Sequence, residues 1–342
     1  MKRYGHLFEQ ITAFPTLLLA ARKAWRGKRQ RHSVAHFLFY LEPELLALQE
    51  ELRAGTYRMQ PYWSFTIHEP KPRQICAAAF RDRVVQHAIC HVLDPLFERW
   101  SIADSYACRR DKGTHAAVRR AQQLARRWPY VLKCDVRHYY ESIDHEVLKA
   151  LLRRKLKDRA LLTLLDGIIE HPLPQGTPGR GLPIGNLTSQ YCANLYLGEL
   201  DHLLQDRLRV PGYVRYMDDM LVFAPEKSSL HEILAAMRTF VQHTLHLTLK
   251  DEVTRLMPVT QGIAFLGFRV FPDLIRLDGR KWARVRRRIR QREAQYSDGV
   301  LTAEALQRSL ASMLGHISHA DALAARRTFF ARPQSVCYRD DI

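Results

Sequence analysis

The sequence predicts an α+β protein, on three observations. Runs rich in β-branched and aromatic residues come in close pairs, 62–69 with 74–78 and 212–215 with 220–224, and each pair reads as a hairpin. Stretches with apolar residues at helical spacing, such as 41–52, 84–92 and 230–243, lie between and around these pairs. The 342 residues contain no internal repeat, long low-complexity segment or separable linker, and they suffice for two or three subdomains that each bury a core.

In chain order, residues 1 to about 55 read as helical and carry a basic run over 22–31. The first hairpin follows, broken by Pro70 and Pro72, with Lys71 and Arg73 near its tip. Asp82 opens a helix whose apolar face is Val84, Val85, Ala88, Ile89 and Val92. A polar, basic loop over 106–115 leads into an arginine-bearing helix over 116–127. Residues 130–136 read as a buried strand with Asp135 near its end. Residues 146–171 are helical and basic, 172–186 form a Pro/Gly-rich loop, and 188–200 return to helix. After the second hairpin come helix 230–243, an alternating strand over 245–250 and a short strand pair over 263–270. The last helical segment opens with 284–292, which is basic on nearly every face and too charged for a core helix.

The hydrophobic content of 46% and charged content of 26% are those of an ordinary folded protein. The charge balance is not ordinary: Lys and Arg outnumber Asp and Glu by 53 to 35, a net charge of +18. Such a surface attracts polyanions, and nucleic acid is the first candidate. No apolar run approaches the ~20 residues of a transmembrane helix, so no membrane partner is expected. The first residues lack the apolar stretch of a signal peptide. The six cysteines are scattered without a Cys-x-x-Cys pair, which argues against zinc and against a disulfide framework. A cytoplasmic location is the expectation.

The chemistry centres on Tyr216-Met217-Asp218-Asp219, between the strands of the second hairpin. Adjacent carboxylates repel each other and are costly to desolvate unless a cation joins them. A solvated Asp-Asp turn is the competing reading. Asp135, at the end of its own apolar strand, needs a partner too. Three carboxylates from two neighbouring strands can hold two Mg2+ ions. One ion would acidify a primer 3′-hydroxyl and the other would neutralise the leaving pyrophosphate, with Lys71 and Arg73 taking the remaining triphosphate charge. That chemistry is nucleotidyl transfer.

Over about residues 40–325 the sequence resembles the reverse transcriptases. Tyr216-Met217-Asp218-Asp219 is similar to their Tyr-x-Asp-Asp box. Lys133-Cys134-Asp135-Val136 with Tyr139, Tyr140, Ile143 and Asp144 is similar to the first palm motif of the bacterial branch, and Phe265-Leu266-Gly267 to the primer-grip hairpin. The resemblance implies a right-hand polymerase with fingers, an antiparallel-sheet palm and a helical thumb. Residues 1–40 would be a basic helical extension, 41–130 fingers, 131–145 and 181–270 palm, 146–180 a helical insertion or part of the fingers, and 271–335 thumb. It implies Asp135, Asp218 and Asp219 as metal carboxylates and the Val136 carbonyl as a further ligand. Tyr140 would lie beneath the sugar and exclude a 2′-hydroxyl. Arg284, Arg286, Arg287, Arg288 and Arg290 would lie along a phosphate backbone.

One stretch narrows the resemblance. Intron-type enzymes carry Pro-Gln-Gly-Gly-x-x-Ser-Pro where this chain has Pro183-Ile184-Gly185-Asn186-Leu187-Thr188-Ser189-Gln190. This version is similar to the reverse transcriptases of diversity-generating retroelements, as are Lys112-Gly113-Thr114-His115 and Ser312-Met313-Leu314-Gly315-His316. In that group the enzyme copies a template-repeat RNA into cDNA with errors mainly opposite adenine, in a bacterial host cell and with a small basic accessory variability-determinant protein as partner. Ile184 and Gly185 would then touch the incoming dNTP, and Ile184, Ser189 and Gln190 would bear on template and fidelity. The chain departs from the family where a lysine is expected after the acidic box: Val253 falls there, and Lys250 is the nearest candidate for a general acid. A retron or phage-defence enzyme and a non-catalytic RNA-binding scaffold are the alternatives.

Overall fold

Four helices open the chain in the computed structural model, which describes residues 3–68 and 72–331: α1 (Phe8–Thr12), α2 (Phe14–Trp25), α3 (His32–Phe39) and α4 (Leu41–Ala54). Leu17, Ala20, Ala21 and Ala24 repeat at helical spacing and are buried, and the three alanines let α2 lie close along α5 (Phe80–Trp100). Gly55, at φ +71°, ends α4 in the left-handed conformation that glycine adopts freely. Between α4 and α5, β1 (Trp63–Ile67) and β2 (Arg73–Ala77) form an antiparallel pair.

The central sheet has the order β4-β5-β3-β6, with every pairing antiparallel. Its strands are β3 (Tyr130–Cys134), β4 (Gly212–Tyr216), β5 (Asp219–Ala224) and β6 (Arg255–Pro258). Alternate residues serve two cores. Leu132, Cys134, Met220 and Val222 face the larger core, which includes α10 (Leu187–His202) and α11 (Lys227–His243). Val131, Val214, Leu221 and Phe223 face a second core with α6 (Thr114–Arg127) and a small sheet of β7 (Ile263–Phe265), β8 (Phe268–Val270) and β9 (Ile275–Leu277). Burial on both faces explains why the strands read as continuous apolar runs rather than alternating ones. Between β3 and α10 lie α7 (Tyr139–Ser142), α8 (His145–Lys155) and α9 (Arg159–Ile169). The chain closes with α12 (Gly279–Ser297), α13 (Ala303–Ile317) and α14 (Leu323–Phe330).

The structure departs from the sequence reading in three places. Residues 245–250 form no strand. Leu245, Leu247 and Leu249 are buried, which produced the alternation, but only Leu249 meets a partner, Val136, in an isolated bridge. Strands β6 and β9 have no clear sequence pattern, because β6 is a half-exposed edge strand ending in Pro258 and β9 has three residues. The basic helix is not solvated all round. Ile289 is fully buried and α12 packs on α13, while Arg287, Arg288 and Arg290 are exposed and Arg284 and Arg286 are half-buried.

The N-terminal segment is tied down by one carboxylate. Asp158 caps α9 through the Leu161 N–H and also accepts the N–H groups of Leu7 and Phe8 at 3.0 and 2.9 Å. Asp158→Ala should lower unfolding free energy by about 1–2 kcal/mol, since a cap is lost and two amides lose their acceptor. Urea denaturation measures this; a change of only a few tenths of a kcal/mol would mean that water replaces the carboxylate fully.

Candidate active site

The register of the central sheet brings the acids together. Cys134 pairs with Met220, so one step further along these antiparallel strands Asp135 stands opposite Asp219. Tyr216 pairs with Asp219, which leaves Met217 and Asp218 as a two-residue turn. Met217 takes φ +56°, a left-handed conformation that costs a non-glycine residue of the order of 1–3 kcal/mol and clusters at functional sites.

The carboxyl pKa of both Asp218 and Asp219 is raised to about 6, chiefly by burial and further by the Asp135 charge. At Asp219 the Asp218 charge adds to this. Opposing it at Asp219 is Lys133, whose Nζ lies 3.4 Å from Oδ1. That contact is an ion pair without hydrogen-bond geometry, and Asp219 Oδ1 is otherwise buried and unsatisfied. Lys133 is itself held by the Ala264 carbonyl in β7 at 2.6 Å. At Asp218 the opposing influences are its own backbone N–H, then Arg73 and Arg215.

Acceptor-only oxygens, partly buried and mutually repelling, fit a hard divalent cation. Among the described residues no three His, Cys, Asp or Glu side chains are grouped as a ready-made metal cage. Mg2+ at nucleotide sites needs no such cage, because one or two carboxylates suffice with water and substrate phosphates. Val136, which follows Asp135, forms an isolated bridge to Leu249. Its bridge to Leu249 is bonded through the Asp135 carbonyl and the Arg137 N–H, so neither Val136 group is used in that pairing.

The other expected residues divide. Arg73 begins β2 and lies within electrostatic reach of Asp218 and Tyr140. Lys71 lies outside the described residues. The Tyr140 hydroxyl stands 3.8 Å from Met217 Sδ, against the turn. The 182–185 loop touches both neighbours: the Leu182 N–H donates to the Tyr140 carbonyl at 2.7 Å, and the Ile184 carbonyl accepts from the Cys76 N–H at 2.9 Å. Gly185, at φ +124°, runs so close to β2 that a Cβ there would lie 2.9 Å from the Cys76 carbonyl. Ser189 and Gln190 sit in the first turn of α10, buried and half-buried. The Lys250 N–H donates to the Asp135 carbonyl at 2.8 Å, whereas Val253 lies in the following turn. The five arginines belong to α12, and Arg286 and Arg290 lie over the rings of Trp282 and Phe329. Lys133 received no role from the sequence, although a period of two already puts it on the same face as Asp135. Two stretches nearly two hundred residues apart also meet: His115 Nε2 lies 3.0 Å from His316 Nδ1.

Folding raises the Asp218 and Asp219 pKa values, so between about pH 4 and 6 the folded chain binds more protons than the unfolded one, and stability falls as pH rises through that window. Asp219→Asn should therefore melt at a higher temperature than the parent at pH 7.5 in chelator. The gain should shrink at pH 4.5, and Mg2+ should stabilise the parent more than the variant. Thermal melts in this two-by-two design check it; equal melting of parent and variant at pH 7.5 would contradict it.

Comparison with known proteins places this geometry. Residues 67–270 match the family model described as reverse transcriptase (RNA-dependent DNA polymerase). Protein YkfC of Escherichia coli (strain K12) is 28% identical over 276 residues, covering 67% of this chain and 72% of that protein. The group II intron-encoded protein LtrA of Lactococcus lactis subsp. cremoris is 21% identical over 301 residues, covering 68% of this chain and 50% of LtrA. This chain thus spans about half the length of that intron-encoded relative. With the matched segment running from the end of β1 to the end of β8 and taking in Asp135, Asp218 and Asp219, the chain belongs to the reverse transcriptase family, the RNA-directed DNA polymerases.

Proposed function

We propose that this chain is the reverse transcriptase of a diversity-generating retroelement, copying a template-repeat RNA into cDNA with errors directed to adenine. Asp135, Asp218, Asp219 and the Val136 carbonyl would hold two Mg2+ ions. When bound, these ions supply the positive charge that acidifies a primer 3′-hydroxyl and neutralises the leaving pyrophosphate. Arg73, with Lys71, takes remaining charge on the triphosphate. Tyr140, braced against Met217, forms the floor under the sugar. Lys250, whose N–H is bonded to the Asp135 carbonyl, is the candidate general acid. In this reading 41–130 serve as fingers, 131–145 and 181–270 as palm, and 271–335 as thumb. The α12 arginines track the nucleic-acid backbone, and a basic accessory protein is the expected partner.

The observation that carries the retroelement reading is the seat of the 182–185 loop. Its hydrogen bonds join Tyr140 on one side and β2 on the other, so Ile184 is held between the sugar floor and the strand that begins with Arg73. An amide side chain at this position could hydrogen-bond a nascent base pair; a branched alkyl group cannot. Pairing geometry is then policed by shape alone, which supports a relaxed fidelity.

Sequencing cDNA made on a primed mixed-base RNA with Mg2+ and dNTPs tests this. Errors should gather opposite template adenine, and Ile184→Gln should reduce them several-fold. An unchanged error spectrum in that variant would remove the role given to Ile184. Accurate cDNA from the parent would move the assignment to the retron or defence type. Asp218→Asn/Asp219→Asn should make no product while still binding RNA. Tyr140→Ala should admit ribonucleotides, raising their incorporation by at least roughly tenfold because a steric clash is removed.

A further inference from the structure

Behind the acidic turn lies a buried ion pair with no place in the chemistry described so far. Arg215 is the residue of β4 that precedes Tyr216, and its side chain is 1% exposed; Asp201, in the last turn of α10, is 0% exposed. The guanidinium grips Asp201 with two prongs, Nε to Oδ1 at 2.7 Å and Nη2 to Oδ2 at 2.6 Å. Nη2 also donates to the Asn194 carbonyl at 3.3 Å, and Nη1 donates to Asn194 Oδ1 at 3.0 Å. The fifth donor reaches out of this network: Nη1 donates to the carbonyl of Met217 at 3.0 Å. All five N–H groups of the guanidinium are thereby used.

Packing alone does not account for the choice of residues. An apolar pair of similar volume commonly fills a site of this kind without loss of stability. What an apolar pair cannot do is hold the Met217 carbonyl. Met217 sits at φ +56°, so the turn needs an outside restraint to keep one conformation. The peptide unit that this carbonyl belongs to also carries the Asp218 N–H, which favours the charged form of the Asp218 carboxylate beside it. Fixing one end of a planar peptide fixes the other. Asp201 and Asn194 are seven residues apart, two turns along one face of α10, so the restraint is anchored in a helix and not in a loop. The Arg215 backbone is anchored too: its N–H donates to Asp104 and its carbonyl accepts from Tyr106, each at 2.9 Å.

We propose that Arg215 is a positioning residue for nucleotide addition. Clamped by Asp201 and Asn194, it sets the Met217–Asp218 peptide plane and so the aim of the Asp218 carboxylate. This rests on the reading that Asp218 and Asp219 hold the catalytic cations. A lysine in its place keeps the charge for Asp201 but has no fork to reach Met217 as well.

The test uses the full chain as the parent, Arg215→Lys, and the charge-balanced Arg215→Met/Asp201→Leu. Three readouts are taken: the thermal melt, single-nucleotide addition against dNTP and Mg2+ concentration, and Mn2+ affinity by electron paramagnetic resonance without nucleic acid. Variants that melt cooperatively should add nucleotide roughly 10- to 100-fold more slowly, as expected when a catalytic group is misplaced by about an ångström, with dNTP KM within about threefold of the parent. They should also need more Mg2+ and bind Mn2+ more weakly. Parental kcat and Mn2+ affinity in either cooperatively melting variant overturns the proposal. Loss of the cooperative melt in both variants also overturns it, assigning the pair to fold stability alone. Asp218→Asn/Asp219→Asn goes through the same Mn2+ titration. Unchanged affinity in that control marks failure of the metal reading, whereas lowered affinity there with parental affinity in the Arg215 variants marks failure of this one.

Discussion

The antiparallel register of β3 against β5 is the constraint from which the rest of the structure follows. It places Asp135 opposite Asp219 at the end of a sheet whose faces are both covered by packed side chains. Charges in that position cannot be relieved by water as they would be on a surface. Among the described residues, Lys133 pairs with Asp219 without a hydrogen bond, and the Asp218 backbone N–H favours the charge of its own carboxylate. Carboxylates that repel one another at a partly buried site suit a hard divalent cation.

Helix α10 organises what surrounds this charge. Its first turn carries Ser189 and Gln190, its middle receives the Tyr139 hydroxyl on the Ala193 carbonyl, and its last turn holds Asp201 against Arg215 and Tyr213. Tyr196 from the same helix donates to the Leu245 carbonyl at 2.6 Å, which fixes the segment leading to Leu249 and Lys250. The segment that follows Asp135, the segment that leads to Lys250 and the strand before the acidic turn are therefore indexed to one rigid rod. Groups that must be placed to fractions of an ångström are better served by such a scaffold than by independent loops.

The positive charge of the chain is distributed rather than concentrated at this site. Arg73 stands alone among the described residues of the first hairpin tip, while the exposed arginines of α12 lie on a helix anchored by Ile289. The contact of His115 with His316 joins α6 to α13, and the neighbouring Thr114 hydroxyl lies 3.4 Å from that of Tyr216 in the acidic box. The two stretches that set this sequence apart outside the 183–190 loop are thus parts of one interface.

Several features were legible without coordinates. Hairpin 212–224 and helices α5, α6, α10 and α11 follow from local patterns, because apolar periodicity and turn chemistry are properties of neighbours in sequence. The three aspartates were legible for a related reason: carboxylates at the ends of apolar runs are anomalies against their surroundings. Residues 245–250 alternate without forming a strand because alternation reports which side chains are buried, and burial under the end of a strand looks the same as membership of a sheet. β6 is hard to see in the sequence because an edge strand carries a weaker pattern. Nothing local announced that Lys133 would face Asp219, that Ile184 would bond to Cys76, or that the apolar-flanked Arg215 would find Asp201 fourteen residues earlier. By itself, then, the sequence determined most of the elements and the chemical inventory, since these depend on residue type and spacing. Only the tertiary structure decided which charge meets which, because the partner of a buried ion is chosen by the register of strands and the packing of a helix across them.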